Sequence, residues 1–207
     1  TPEGLLAHRG FTHSLLFMEL IVPALAMLAQ RFHQNMHVPL KTWMFFFGIE
    51  IFLHLFIDVY NNYGVGLLEP FSHQRFSFNA IYVADPFFSV WPGIACVALA
   101  VLKRKIPLRK KWWKMGLGLS ALYLMYCLLN KAKINSDVQD ILQKQHISYT
   151  RYFTTPAPLQ NWLWYVVAGD DQGYHVGFRS MLDNKKEIVF QYFPRNDSLL
   201  KPISDNE

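Results

Sequence analysis

Polar and apolar residues divide this chain unevenly, with long apolar runs in the first two thirds and short alternating ones after them. Four runs, Phe11 to Gln30, Trp43 to Tyr60, Val83 to Leu102 and Trp113 to Leu129, approach the ~20 residues a helix needs to cross a bilayer. Glu19 and Pro23 interrupt the first, Glu50, His54 and Asp58 the second, and Asp85 and Pro92 the third. The fourth is free of charge from Met115 onward and has no polar face, which argues against a surface helix. Trp43, Tyr60, Trp91, Trp112 and Trp113 stand near run ends, as interfacial anchors do. About four membrane spans are expected; a soluble helical bundle with buried polar residues is the alternative.

After Asn130 the pattern changes. Ser136 to Gln145 predicts a short helix with Ser136 as N-cap and Asp137 in its first turn. Four strands follow, Ile147 to Phe153, Trp162 to Ala168, Tyr174 to Met181 and Ile188 to Phe193. In the third, Tyr174, Val176 and Phe178 alternate with His175, Gly177 and Arg179, which suits a half-exposed strand. Turn chemistry at Gly169-Asp170-Asp171-Gln172-Gly173 and Asp183-Asn184-Lys185 makes an antiparallel meander the simplest topology. The expected fold is therefore an α-helical multi-pass membrane domain over residues 1–130, followed by a small extramembrane α+β domain with an antiparallel sheet over residues 131–207.

Composition sharpens this reading. The chain is 52% hydrophobic and only 17% charged, against roughly 25% charged in an average soluble domain. Its mean hydropathy of +0.10 is low for a membrane protein because the polar residues gather in the last third. The formal charge of +5 comes largely from Lys103-Arg104-Lys105 and Arg109-Lys110-Lys111, which lie between apolar runs. Such a loop determines topology, so membrane lipid is the expected partner and nucleic acid is not. The loops at 31–41 and 103–114 are accordingly expected in the cytoplasm and the C-terminal domain outside. Cys96 and Cys127 sit in apolar runs and read as packing residues. No basic stretch leads into an apolar one at the N-terminus, so nothing there reads as a signal peptide.

Glu50, His54 and Asp58 recur at i, i+4 and i+8, along one helix face. Three ionisable groups on one stripe of a span face protein or a wet cavity rather than lipid. They either knit helices together by hydrogen bonds or form a site. His54 and Asp58 have the ligand types and spacing to chelate one metal ion. If spans alternate, the start of the first run lies on the same side as the end of the second. That brings in His13, in the first turn of a helix capped by Thr12, and His8 in the preceding loop. Glu50 is a candidate general base, taking a proton from water beside the metal, or pairs with a group such as Glu19. Arg9 and Arg75 either bind a phosphate or anchor in headgroups. His33, His37, His73, His146 and His175 have no second ligand at useful spacing, and Asp170-Asp171 reads as a plain turn.

Four ordered motifs carry a resemblance: His8-Arg9-Gly10-Phe11-Thr12-His13-Ser14-Leu15; His54-Leu55-Phe56-Ile57-Asp58 with Asn62-Tyr63-Gly64; Pro70-Phe71-Ser72; and Ala84-Asp85-Pro86-Phe87. Together they resemble the bacterial YdjM-like family of membrane-bound, predicted metal-dependent hydrolases. The resemblance implies metal-ligand roles for His8, His13, His54 and Asp58, and makes Asp85 a ligand or a residue orienting a histidine. It also implies a multi-pass protein of the bacterial inner membrane and a divalent metal cofactor, with zinc or manganese the likeliest ions. The expected function is hydrolysis by metal-activated water, on a lipid or membrane-proximal phosphoester. The rival is a non-enzymatic membrane protein with a structural metal or a polar helix-packing network and an interaction domain.

Overall fold

The computed structural model describes residues 10–184 and 187–195. The chain forms two compact units, Thr1–Asn79 and Ala80–Glu207.

The first unit is an antiparallel pair of helices, α1 (Leu15–Phe32) and α2 (Leu40–Tyr60). Both are long and apolar enough to cross a membrane. Ser14, rather than Thr12, caps α1: its Oγ accepts a hydrogen bond from Phe17 N at 3.1 Å. Phe11–His13 form a short 3-10 turn ahead of it, so His13 precedes the helix instead of lying in its first turn. Pro23 is tolerated inside α1, as prolines are in apolar helices whose neighbours re-satisfy the freed carbonyl. Residues 61–79 fold back over the end where α1 starts, through Leu15 N donating to Leu67 O at 3.0 Å and a bridge between Val65 and Phe76.

The second unit starts with α3 (Pro86–Val101) and α4 (Leu108–Lys144). Asp85 caps α3, its Oδ1 accepting from Phe87 N and Phe88 N, with Pro86 at the first helical position, where its missing N–H costs nothing. Arg109 Nη1 donates to the carbonyls of Leu99 and Leu102, so a residue in the first turn of α4 closes the C-terminus of α3. Gly116 lets the two helices approach, since a Cβ there would stand 2.6 Å from Ala95 Cβ.

α3 has 16 residues and α4 has 37. The expected fourth span and the short helix at 136–145 are therefore one continuous element. Ser136 lies inside it as an ordinary helical residue, because nothing between Asn130 and Ser136 breaks a helix. The domain boundary expected at residue 130 falls within α4.

Four strands, β1 (Arg151–Pro156), β2 (Leu163–Gly169), β3 (Gly173–Ser180) and β4 (Gln191–Pro194), form an antiparallel sheet in the order β1-β2-β3-β4, as the meander reading expects. Its core joins Trp164, Val166 and Ala168 to a stripe of Ile134, Val138, Ile141 and Leu142 on α4. Spacings of four, three and one residues keep that stripe on one helix face. In β3 the face that carries Arg179 packs inward: Arg179 is 3% exposed and Phe178 is 56% exposed. Arg179 is accommodated inside by Asp137 of α4, Nη2 to Oδ2 at 3.3 Å. The Asp170 turn is as plain as expected: its Oδ1 accepts from Gln172 N and Gly173 N, and these donors hold its carboxyl below the usual value.

Candidate metal centre

Because α1 and α2 run antiparallel, the turn before α1 and the last turns of α2 meet at one end of the pair. There His13, His54 and Asp58 converge, with one ligand atom from each within 4.8 Å of the others. His54 Nε2 lies 3.5 Å from Asp58 Oδ2, and His13 Nε2 lies 3.9 Å from the same oxygen. The two imidazole rings are 5.4 Å apart between centroids. Asp58 is buried, His13 half-buried and His54 exposed, so the cluster opens toward the surface on the His54 side.

These residues fit a divalent ion. Two imidazole nitrogens and a carboxylate oxygen are the donor set of zinc sites and also suit manganese. Two ligands each ~2.1 Å from a tetrahedral ion stand about 3.4 Å apart. The His54–Asp58 pair is thus already at chelating separation, and the His13–Asp58 pair is about 0.5 Å wider than that. Three protein ligands leave coordination positions for water or substrate, as catalytic sites do.

The surrounding bonds aim the ligands. Thr12 Oγ1 lies 3.1 Å from His13 Nδ1; in the tautomer that leaves Nε2 bare, Nδ1–H donates to that hydroxyl. Asn61 Nδ2 donates to Asp58 Oδ1 at 2.8 Å, which leaves Oδ2 for the histidines. Asn61 was not singled out from the sequence. Its signal was the Asp-x-x-Asn spacing at a helix end, which puts the two side chains on one face.

Asp85 belongs to the second unit, where Oδ1 caps α3 and Oδ2 accepts from Tyr123 Oη at 2.9 Å. Glu50 is exposed on α2, two turns before Asp58. Arg75 is half-buried in the segment following α2. His8 and Arg9 lie outside the described residues. His73 pairs with Glu69, Nδ1 to Oε1 at 2.9 Å.

Apolar helices long enough to span a bilayer, a His/Asp cluster at one end of a helix pair and a small sheet packed on a long helix define an integral membrane protein with a candidate metal centre. The chain belongs to the YdjM inner membrane protein family, whose profile matches residues 3–134. It is similar to the uncharacterized protein YfhP of Bacillus subtilis (strain 168), at 27% identity over 190 residues, covering 84% of this chain and 50% of that protein. The chain therefore spans about half the length of that relative. No solved structure matches it.

Proposed function

We propose that this chain is a membrane-bound, metal-dependent hydrolase acting at the membrane surface on a lipid or a membrane-proximal phosphoester. The observation that carries the proposal is the convergence of His13, His54 and Asp58 beside apolar surface. Phe71 and Phe78, in the segment that folds back over this end, are 83% and 56% exposed. Aromatic side chains left this open at a helix end suit the headgroup boundary, where a lipid-borne substrate would present its polar group.

His13, His54 and Asp58 would hold the ion. A divalent ion there supplies Lewis acidity and brings the pKa of water toward ~7. The exposed side of His54 leaves the approach open to substrate. Glu50 is the nearest carboxylate along the same helix to accept a proton, and Arg75 the cation for a phosphate. His8 and Asp85 join this proposal through the family resemblance, and Arg9 as a second candidate cation for a phosphate.

In the proposed arrangement four helical segments cross the bacterial inner membrane, with the lysine-rich 103–114 loop in the cytoplasm. The test is metal content of detergent-purified protein, followed by hydrolysis of phosphatidic acid vesicles and of a soluble aryl phosphate with added zinc or manganese. Activity that requires the ion and disappears in a folded Asp58→Asn variant supports the proposal. Bound metal with no hydrolysis of either substrate would favour the structural-metal reading.

A further inference from the structure

We propose that Asn61 is the positioning residue of this centre, holding Asp58 in a single orientation through its amide nitrogen; this rests on reading His13, His54 and Asp58 as a metal site. Asn61 is 2% exposed, and both ends of its side chain are committed. Its Oδ1 accepts from Tyr63 N at 2.9 Å and Gly64 N at 3.1 Å, while Nδ2 donates to Asp58 Oδ1 at 2.8 Å. These partners determine which way the amide faces. A flip would set two N–H donors against NH2 and the amide oxygen against a carboxylate.

The backbone beneath it is pinned from both sides. Ser77 Oγ donates to Asn61 O at 2.6 Å, and Phe78 N donates to Val59 O at 2.8 Å. Gly64 adopts φ +68°, and a Cβ there would lie 2.7 Å from Phe76 O, so only glycine closes the turn without strain. Asn61 thereby transmits a rigid turn to one oxygen of Asp58, and the other oxygen faces His13 and His54. A neutral donor also suits this position. An arginine or lysine would orient the carboxylate equally well but would place positive charge beside the ion.

Asn61 also ends α2, its backbone N–H donating to Asp58 O, and a turn-forming role alone would predict a different set of variants. The turn uses only Oδ1, which an aspartate supplies as well. Holding Asp58 uses Nδ2, which an aspartate lacks.

The experiment is titration of the purified full chain with zinc alone and manganese alone, comparing parent, Asn61→Asp, Asn61→Ala and Ser77→Ala, with thermal melts in chelator. Asn61→Asp keeps the turn acceptor and should bind the ion 10- to 100-fold more weakly, the usual effect of losing an orienting partner. Asn61→Ala should lose at least as much. Ser77→Ala loosens the turn but keeps the bond from Asn61 Nδ2 to Asp58, so it should lower the melting temperature and weaken binding by clearly less than Asn61→Asp does. Parent-like affinity in Asn61→Asp, or an equal loss in Ser77→Ala, would overturn the positioning role and leave the metal site standing. A parent that binds neither ion would overturn both.

Discussion

His54 and Asp58 stand one turn apart on α2 with Nε2 and Oδ2 separated by 3.5 Å, yet the histidine side chain is 61% exposed and the aspartate 9%. Their removal should therefore act on different quantities. In metal-free protein, His54→Ala is a surface change and is expected within about ±0.5 kcal/mol of the parent, while its metal content falls sharply. Asp58→Ala should lose the metal and also cost roughly 1–3 kcal/mol without it, because the buried Asn61 amide loses its acceptor. Metal analysis and denaturation in chelator separate the two. Unchanged metal content in both variants would leave helix packing as the role of these residues.

α4 makes a second expectation concrete. From Met115, after the last lysine of the basic segment, to Asn130 it rises about 23 Å at 1.5 Å per residue, and Lys114 can lengthen the apolar stretch by reaching toward the headgroups. The basic segment at 103–114, a short loop followed by the first turns of α4, and the sheet are proposed to face opposite sides, with the basic segment in the cytoplasm. Single cysteines in each region, with Cys96 and Cys127 replaced, can be probed with an impermeant thiol reagent in intact cells. Labelling confined to the sheet is expected; labelling confined to the loop would reverse the orientation.

Arg179 and Asp137 are both about 95% buried, at 3.3 Å. Arg179 also reaches the half-exposed Asp183, Nη1 to Oδ2 at 3.5 Å, so Asp137→Ala should destabilise the protein by less than the roughly 3–5 kcal/mol of a buried charge left with no partner. Replacing both, as Asp137→Leu with Arg179→Met, should recover most of that loss. A double-mutant cycle in denaturant measures the coupling, and additive losses would show that the pair does not act as a unit.

Lys131 gives a pH signature. Its ammonium donates to Thr154 O and Oγ1, and burial pulls its pKa from 10.5 down to about 8. Below pH 8 both states are protonated and the folded state bears the full desolvation penalty. Between pH 8 and 10.5 the unfolded chain holds the extra proton, so stability should rise with pH across that window. Denaturation midpoints measured there for the parent and Lys131→Met should show a rise in the parent that is smaller in the variant.

How much of this was legible beforehand depended on how local each relationship is. His54 and Asp58 were readable because a helix fixes the i, i+4 geometry regardless of what surrounds it. His13 followed from one further step, the antiparallel return of a short connection. The long α4 was misread as two elements because Ser136 has the chemistry of an N-cap. Capping requires a break in the preceding backbone, and nothing in Lys131 to Asn135 supplies one.

Strand pattern was ambiguous in a different way. Alternation in β3 separates two faces but does not say which one packs inward, and Tyr174, Val176 and Phe178 look like the buried set on hydrophobicity alone. Asp137, 42 residues earlier, gives Arg179 a buried partner on the inward face. The sequence by itself determined apolar helices, the order of four short strands and the ligand types, since these follow from composition and from the fixed periods of helix and strand. Only the tertiary structure decided that one oxygen of Asp58 faces two histidines and the other faces Asn61. A side chain's direction depends on partners brought close by chain reversal, and no local period encodes them.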